Sequence, residues 1–362
     1  MNPFPLVVAS SYGPAAASAR VRVLEWLGYL GLEAEVLDYI GTANVLPGTV
    51  ARHPLATLHA ERELRRLRER PPFERLLVSR SMGPFTRGHI EAELLRRAGW
   101  GVYDFDDALH VDRGLIHKLF GESAGWATAV RGADLVIAGN SYLAEAAARL
   151  NPNVEVIPSC VDPAAYPRKT DYEIGETPRF VWLGSPSTEP YLERIAPALL
   201  QVHRLTGARL TLISSGDRPL GELSAMADRV TWAGPATDAL LAEADCGLMP
   251  LPDDTWTRGK CAYKLLQYAA AGLPVVGSPV GVNEQVLGQF GGYAATDHDS
   301  WLQALLDVIQ SSGTDRRSRG LAARRGVEEH YSFAAWRNVW LKSLQLPHDV
   351  VAGGPGEVDR GV

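Results

Sequence analysis

Short apolar runs rich in β-branched residues alternate with helical stretches along almost the whole chain of 362 residues. In the first half the predicted strands are Leu6–Ser11, Glu35–Tyr39, Leu76–Ser79, Gly101–Phe105, Leu135–Ala138 and Val154–Pro158. In the second half they are Phe180–Gly184, Arg209–Ser214, Val230–Ala233, Gly247–Pro250 and Pro274–Gly277. Most of these runs are apolar on both faces, which is typical of parallel strands covered by helices. The alternation predicts right-handed crossovers and doubly wound parallel sheets of the α/β class.

The alternation pauses in a proline-rich stretch of mixed charge at 162–178. Because proline cannot extend a helix or a central strand, this stretch is the predicted linker. We therefore expect two Rossmann-like domains that face a cleft, formed by residues 1–168 and 169–331. A helix at 332–345 is expected to pack back on the first domain. The tail 346–362 has too little apolar surface to fold and is expected to be disordered.

Composition places the chain among ordinary globular proteins. It is 46% hydrophobic and 22% charged, which excludes disordered, collagen-like and disulfide-stapled classes. The three cysteines have no CxxC-type spacing, so we expect reduced thiols and a cytoplasmic protein. The net charge of −6 argues against a nucleic-acid partner. The charge-free run 265–282 is broken by glycine and proline, and the basic run 61–70 is interleaved with glutamate, so we expect no membrane contact.

Ligands of open parallel sheets bind beyond the carboxyl ends of the strands, so the polar residues that follow strands are the candidates for a site. Arg258, Lys260 and Lys264 lie before and within the first turns of a helix predicted from about Cys261 to Ala271. A helix N-terminus carries a partial positive charge, and three cations beside it predict a diphosphate site. A solvated basic loop beside an amphipathic helix is the alternative. Gln267, one turn after Lys264, is placed to bind a ligand hydroxyl or to lie at a helix boundary.

A second candidate cluster is the sequence YDFDD at the end of a predicted strand. Asp104 and Asp106 point to one face of that strand, and Asp107 begins the loop. A carboxylate here would orient an acceptor hydroxyl or take its proton. The alternatives are a helix-capping role for Asp107 and an Mg²⁺ or Mn²⁺ site of the DxD type, which we do not favour.

The loop after the first strand contains Gly13 and opens a helix at Arg20. It lacks the GxGxxG pattern of nicotinamide-dinucleotide-binding proteins. Gly13 permits close backbone approach, and Arg20 together with Arg80, at the end of another strand, completes the predicted acceptor-binding set. A turn glycine and surface arginines are the plain alternative.

The segment KLLQYAAAGLPVVGSPVGVNEQV resembles the nucleotide-sugar-binding segment of the GT-B glycosyltransferases, specifically the group 1 (family 4) retaining enzymes. Other pieces agree in order, including YDFDDALH, ADLVIAGNSYLAE and DCGLMPLPDDTW. The resemblance implies two Rossmann-like domains, with the donor on the C-terminal domain and the acceptor on the N-terminal one. It also implies transfer with retention of configuration and without a metal or other cofactor.

The family usually carries two glutamates around this helix, and they fall on Gly259 and Gln267. The family's arginine and lysine after the first strand of the C-terminal domain are absent too. The resemblance therefore assigns donor binding to the following residues: Gly184, Ser185, Thr188, Arg258, Lys260, Lys264, Gln267, Asn283 and Glu284. Asp106 and Asp107 occupy the position of family residues near the reacting centre and are the predicted catalytic pair.

The sequence thus predicts a retaining hexosyltransferase that moves a sugar from a UDP- or GDP-sugar to a small-molecule or glycan hydroxyl. Two alternatives stay open. The missing glutamate pair is compatible with a non-catalytic nucleotide-sugar-binding protein, or pseudo-glycosyltransferase. The same fold also serves nucleotide-sugar epimerases, which act on the donor without an acceptor.

Overall fold

The computed structural model describes residues 5–13, 16–41, 47–112, 114 and 121–348. The chain forms two compact units, each with its own sheet. The first comprises the described residues up to Ser159, the segment Gly259–Cys261 and the described residues from Trp336 onward. The second comprises Cys160–Arg258 and Ala262–Ala335. The boundary expected at residue 168 lies inside the second unit, and most of the predicted tail, from 349 onward, lies outside the described residues.

The first unit is built on a six-stranded sheet in the order β2-β1-β3-β4-β5-β6, with parallel neighbours. The strands are β1 (Leu6–Ser10), β2 (Glu35–Leu37), β3 (Arg75–Ser79), β4 (Trp100–Phe105), β5 (Leu135–Ala138) and β6 (Val154–Val156). The central strands are buried on both faces, as their apolar sequences require.

Helices cover this sheet and connect its strands. They are α1 (Ala17–Ala19), which continues through a π-helical turn at Arg20–Leu24 into α2 (Glu25–Leu30), then α3 (Pro47–Arg52), α4 (Pro54–Leu67), α5 (His89–Arg97), α6 (Glu122–Gly132) and α7 (Ser141–Ala148). Near the chain's end the Trp340 ring stacks on Trp26 at 5.2 Å between centroids, and Trp100 Nε1 donates to the Ser343 carbonyl at 2.9 Å. These contacts hold the last helix against the first sheet.

The second unit repeats the plan with a six-stranded sheet in the order β12-β11-β10-β7-β8-β9. Its strands are β7 (Arg179–Leu183), β8 (Arg209–Ile213), β9 (Ala227–Val230), β10 (Cys246–Met249), β11 (Val275–Gly277) and β12 (Tyr293–Ala294). Its α-helices are α8 (Ala196–Thr206), α9 (Pro235–Glu243), α10 (Tyr263–Ala270), α11 (Asn283–Phe290), α12 (His298–Gln310), α13 (Gly313–His330) and α14 (Phe333–Ser343), the last of which continues into the first unit. A long 3₁₀ helix follows β7 at Pro186–Arg194.

The two parallel sheets confirm the predicted α/β class. The sequence misplaced β9, predicted at Val230–Ala233, and gave no sign of β12. The β9 residues are only partly buried at the edge of the sheet, so they carry no continuous apolar signal. Over the described part of the chain, no helix combines the length and apolarity needed to cross a bilayer.

At the carboxyl edge of the second sheet, the side chain of Tyr268 forms hydrogen bonds with the backbones of two neighbouring strands. The Tyr268 hydroxyl accepts from the Leu183 amide at 2.8 Å and lies 3.2 Å from the Leu248 carbonyl, which belongs to the neighbouring strand β10. Gly247 makes room for this ring, because a Cβ there would lie 2.3 Å from Tyr268 Cγ. The hydroxyl thus joins β7 and β10 just beyond the point where their backbone pairing stops.

Candidate functional site

Polar side chains from two strand ends, together with Ser18 of α1, meet at the carboxyl edge of the first sheet. Arg80 follows β3, and Asp106 and Asp107 follow β4. Arg80 Nη1 donates to Asp107 Oδ2 at 3.0 Å, to Asp106 Oδ1 at 3.3 Å and to Ser18 Oγ at 2.9 Å. Three predicted site residues are therefore brought together by one guanidinium group.

The backbone of Arg80 is held in an unusual conformation. Its φ of 64° lies in the left-handed region, which costs a non-glycine residue about 1–3 kcal/mol when the surroundings do not compensate. Here the Arg80 amide donates to the Asp104 carbonyl at 2.8 Å, and the Arg80 carbonyl accepts from the Tyr103 hydroxyl at 2.6 Å. The guanidinium also lies over the Tyr12 ring, 5.4 Å from its centroid. These contacts fix the direction in which the side chain leaves the sheet.

A second arginine lies beneath this cluster and is almost completely buried. Arg22 Nε lies 3.2 Å from both carboxylate oxygens of Asp104, and Arg22 Nη1 donates to the Ile157 carbonyl at 2.8 Å. The two side chains are 2% and 4% exposed. Although burial disfavours its charge, the Arg22 pKa is raised, because Asp104 lies against the guanidinium. Asp104 therefore forms a buried ion pair with Arg22, whereas Asp106 contacts Arg80.

The segment Gly259–Cys261 joins this first-unit cluster. Lys260 Nζ donates to Asp107 Oδ1 at 2.6 Å. Asn140, which caps α7 through its side-chain oxygen, donates its amide hydrogens to the carbonyls of Gly259 and Lys260, each at 3.1 Å. A Cβ on Gly259 would lie 2.7 Å from Ala108 Cβ, so only glycine fits without displacement. Lys260, predicted to bind the donor, thus contacts a predicted catalytic carboxylate.

The two adjacent carboxyls have opposite pKa shifts. Burial raises the pKa of Asp106, and Arg80 offsets this effect only in part. Burial also opposes ionisation of Asp107, but Lys260 and Arg80 together lower its pKa below the ordinary value. Asp106 therefore takes up a proton at a higher pH than Asp107 does.

Lys264 lies at the carboxyl edge of the second sheet, in the first turn of α10. Its Nζ lies 5.3 Å from the centre of the Trp182 ring. Gly184, immediately after β7, has no side chain to obstruct this pair, since a Cβ there would lie 2.7 Å from Lys264 Cε. The helix itself has no side-chain cap, because Ala262 stands at its N-cap position with a φ of 55°. The predicted association of Lys264 with a helix N-terminus is therefore present within this unit.

Exposed hydroxyl groups lie in the loop after β7. Ser185 Oγ lies 3.0 Å from Ser187 Oγ and 3.4 Å from Thr188 Oγ1. The next residue, Glu189, is buried and accepts from Arg229, whose two Nη atoms also donate to the carbonyls of the loop after β8. The hydroxyl-bearing residues thus lie at the start of the 3₁₀ helix, next to an ion pair of which only the Glu189 side is fully buried.

The remaining predicted donor residues lie in different environments. Gln267 is buried and its Nε2 donates to the Tyr166 hydroxyl at 3.3 Å. Asn283 is fully buried and donates to the Ser278 carbonyl at 3.1 Å, which gives it a packing role, while Glu284 is exposed in the first turn of α11. Arg258 forms an exposed ion pair with Asp253 at 2.6 Å.

The predicted acceptor residues in the first loop are engaged by the protein itself. A Cβ on Gly13 would lie 2.8 Å from the backbone carbon of Gly41, so glycine is needed here for one loop to pass another. Arg20 Nε lies 3.2 Å from Glu25 Oε1, one turn further along the helix. Of the predicted acceptor set, Arg80 alone directly contacts the aspartate pair through an interaction that the structure describes.

Sequence reasoning gave no specific role to Arg22, Tyr12, Ser18 and Tyr166. The one signal for Arg22 is Asp104 itself, because a carboxyl inside a buried strand needs a partner, but no local pattern identifies that partner. In the ranges that the structure covers, no cluster of three or more His, Cys, Asp or Glu side chains is arranged as metal ligands. Metal independence and the lack of a cofactor stay predictions.

Comparisons with known proteins bear on both units. Residues 177–311 match the family model "Glycosyl transferases group 1". No match was found among curated proteins. HepE from Anabaena, solved in complex with UDP and glucose, is similar with a TM-score of 0.65 and 15% identity, over 94% of this chain and 98% of that chain.

Two further solved structures are similar over nearly their whole length. WaaG, a glycosyltransferase involved in lipopolysaccharide biosynthesis, has a TM-score of 0.63 and 13% identity, over 97% of this chain and 100% of that chain. A UDP-forming α,α-trehalose-phosphate synthase from Burkholderia xenovorans has a TM-score of 0.64 and 13% identity, over 94% and 99%. The resemblance predicted from the sequence is confirmed: this chain has the GT-B fold, and its residues 177–311 match the group 1 glycosyltransferases.

Proposed function

We propose that this chain is a retaining glycosyltransferase that moves a hexose-type sugar from a UDP- or GDP-sugar to a hydroxylated small molecule or glycan. The group 1 match and the fold support a transferase. The names of similar structures support a nucleotide-sugar donor, since HepE was solved with UDP and glucose and the Burkholderia xenovorans synthase is UDP-forming. Neither a metal nor another cofactor takes part in the reaction we propose.

The observation that carries this proposal is the arrangement of Asp106 on Arg80. The Asp106 side chain is 16% exposed, so a ligand hydroxyl can reach it, and Arg80 holds it from one side. A carboxylate held on one side only keeps the capacity to accept from an acceptor hydroxyl, which it would orient and polarise. We assign this role to Asp106 rather than Asp107, because both oxygens of Asp107 already accept from cations.

The donor would bind to the second unit. The uncapped N-terminus of α10 offers backbone N–H groups, and Lys264 adds a positive charge in the same turn. The hydroxyls of Ser185 and Thr188 would donate to the diphosphate, and Gln267 would bind the ribose hydroxyls. These groups would offset the charge that develops on the leaving diphosphate.

Retention would follow if the acceptor attacks from the face that the diphosphate leaves. In that geometry the leaving phosphate oxygen receives the acceptor's proton, while Asp106 positions the acceptor and Lys264 stabilises the phosphate. No protein nucleophile is then needed. We keep Glu284 and Arg258 as supporting donor residues in this proposal, with Asn283 acting only through its packing and with Arg20 and Gly13 supporting the acceptor loop.

Two variants with matched controls test these assignments. Nucleoside diphosphate release would be measured with a panel of UDP-, GDP- and dTDP-sugars that thermal shift first screens for binding. We expect Lys264→Ala to raise the donor KM about tenfold or more, since it removes a charge-assisted contact. We expect Asp106→Asn to lower kcat about 100-fold with little change in donor KM. The controls are Lys342→Ala and Glu155→Gln, which alter exposed residues.

The outcomes separate the alternatives. If both site variants turn over like their controls, the site assignment is wrong. Binding of a nucleotide sugar by the wild-type protein without release or transfer would identify a non-catalytic binding protein. Isomerisation of the donor without an acceptor would identify an epimerase.

A further inference from the structure

Lys260 lies in the segment that the sequence predicted to bind the donor, yet its ammonium group lies 2.6 Å from Asp107 Oδ1. We propose that Lys260 is a positioning residue that fixes Asp107, and so leaves the neighbouring Asp106 as the carboxyl that meets the acceptor hydroxyl. The part of this inference that concerns the acceptor rests on the proposed function. The part that concerns Lys260 and Asp107 does not.

The two neighbouring carboxyls differ in how many cations contact them. Asp107 accepts from Lys260 on Oδ1 and from Arg80 on Oδ2, so both of its oxygens are held by cations. Asp106 receives the longer contact from Arg80, at 3.3 Å through Oδ1. Charge-assisted hydrogen bonds of 2.6–3.0 Å are stronger than a contact of that length. Asp107 is therefore the fixed carboxyl of the pair, and Asp106 is the one able to exchange partners.

The backbone around Lys260 is fixed as well. Asn140 donates to two successive carbonyls, those of Gly259 and Lys260, which lie before and after the Lys260 α-carbon, and its own position is set by capping α7. Gly259 packs so closely on Ala108, the residue after Asp107, that a Cβ would overlap it. The backbone contacts of this segment therefore set the position of Lys260 next to Asp107. Its contact with Asp107 does not depend on the side-chain conformation alone.

Electrostatics agree with this geometry. The charged and titratable groups that face the pair are the following: Arg80 after β3, Arg22 in the π-helical turn after α1, Asp104 in β4, Lys260, and Cys261 beside it. Burial raises the pKa of Asp106, whereas Lys260 and Arg80 overcome burial and lower the pKa of Asp107. Loss of the Lys260 charge removes one of the two cations from Asp107. The pKa of Asp107 should then rise by about one pH unit or more.

The experiment is a carbon-detected NMR titration of the aspartate carboxyls in the full chain. It compares the wild type with Lys260→Met, Lys260→Arg and the exposed control Lys342→Met. We expect Asp107 to titrate below Asp106 in the wild type and in Lys342→Met. We expect the Asp107 pKa to rise by about one pH unit or more in Lys260→Met and to return toward the wild-type value in Lys260→Arg. An unchanged Asp107 titration in Lys260→Met overturns the proposal.

A second variant keeps the proposal testable if Lys260→Met does not fold. Lys260→Gln keeps a hydrogen-bond donor but not the charge, and it replaces Lys260→Met if that variant does not give a folded spectrum. Where the wild type has transferase activity, Lys260→Met should lower kcat and shift its pH profile with the donor KM unchanged. A raised donor KM with an unchanged titration would instead make Lys260 a donor residue. Because the titration needs no substrate, it decides the Lys260–Asp107 part even if the proposed function fails.

Discussion

Arg22 and Asp104 are 82 positions apart in the sequence, yet they form an ion pair with side chains that are 2% and 4% exposed. Such a pair is costly to break, because removal of one partner leaves the other charge buried without compensation. The Arg22–Asp104 pair also lies next to Arg80, Asp106 and Asp107, and so contributes to the candidate site. The Asp104 carbonyl also accepts from the Arg80 amide, so the buried pair supports the strand end on which the candidate site is built.

Asp104→Ala should therefore destabilise the first unit by about 3–5 kcal/mol, since it leaves Arg22 buried and unpaired. Arg22→Met combined with Asp104→Ala should recover a large part of that loss, because no buried charge remains. Urea unfolding of the single and double variants measures both free energies. A loss below about 1 kcal/mol in Asp104→Ala would show that the pair is not buried as described.

Glu91 is another buried acid, and its shifted pKa makes the stability of the fold depend on pH. It is fully buried, and its Oε1 accepts from the Met82 amide at 2.8 Å and from Thr86 Oγ1 at 2.6 Å. Burial raises its pKa despite these two hydrogen bonds. The folded protein therefore binds a proton that the unfolded chain has already released, and the free energy of unfolding falls as the pH rises through this window.

Glu91→Gln should remove that dependence, because glutamine mimics the protonated acid. We expect the stability of the variant relative to the wild type to increase as the pH rises from about 4 to the folded pKa of Glu91, and then to level off. Chemical unfolding across this range measures the difference. Parallel pH profiles of the two proteins would contradict a buried, protonated Glu91.

At the scale of elements, the sequence was most informative where strands are buried on both faces. The strands β1, β3, β4, β5, β7, β8 and β10 lie within a residue or two of their predicted positions, because a continuous apolar run marks each of them. The edge strands β9 and β12 lack that run. Helix α10 was predicted from about Cys261 but begins at Tyr263, because Ala262, with a φ of 55°, lies in the left-handed region and not in the helical one.

The segment before α10 contains Gly259, where this chain differs from the group 1 glycosyltransferases that it resembles. The position that usually carries a glutamate is packed against Ala108 Cβ and the Ala108 backbone nitrogen. Restoring a side chain here conflicts with the packing of the loop that begins at Asp106 and Asp107. The departure is therefore structural as well as chemical, and a substitution toward the family residue should not restore a donor contact.

Gly259→Ala should destabilise the protein by about 1–3 kcal/mol, and Gly259→Glu by at least as much. Neither should lower the donor KM. Gly288→Ala is the matched control, because a Cβ at that helical glycine meets nothing within 4 Å. Thermal unfolding and donor kinetics check both statements. A more active or equally stable Gly259→Glu variant would contradict this account of the segment.

At the scale of the whole molecule, the sequence predicted the class and the number of sheets but not the pairs that build the site. The pairs Arg22–Asp104, Arg80–Asp107 and Lys260–Asp107 join residues distant in the chain, and no periodicity specifies them. Two cations that were predicted to bind the donor together therefore lie in different units. Lys264 stays with the helix N-terminus of the second unit, whereas Lys260 belongs to the aspartates of the first.

We propose that this chain transfers a sugar with retention of configuration. The decisive measurement is proton NMR of the wild-type protein with a bound nucleotide sugar and an array of hydroxylated acceptors. We expect a new glycoside whose anomeric coupling matches that of the donor, formed only when an acceptor is present. An inverted anomeric signal, or a donor that binds but stays unchanged with every acceptor, would contradict the claim.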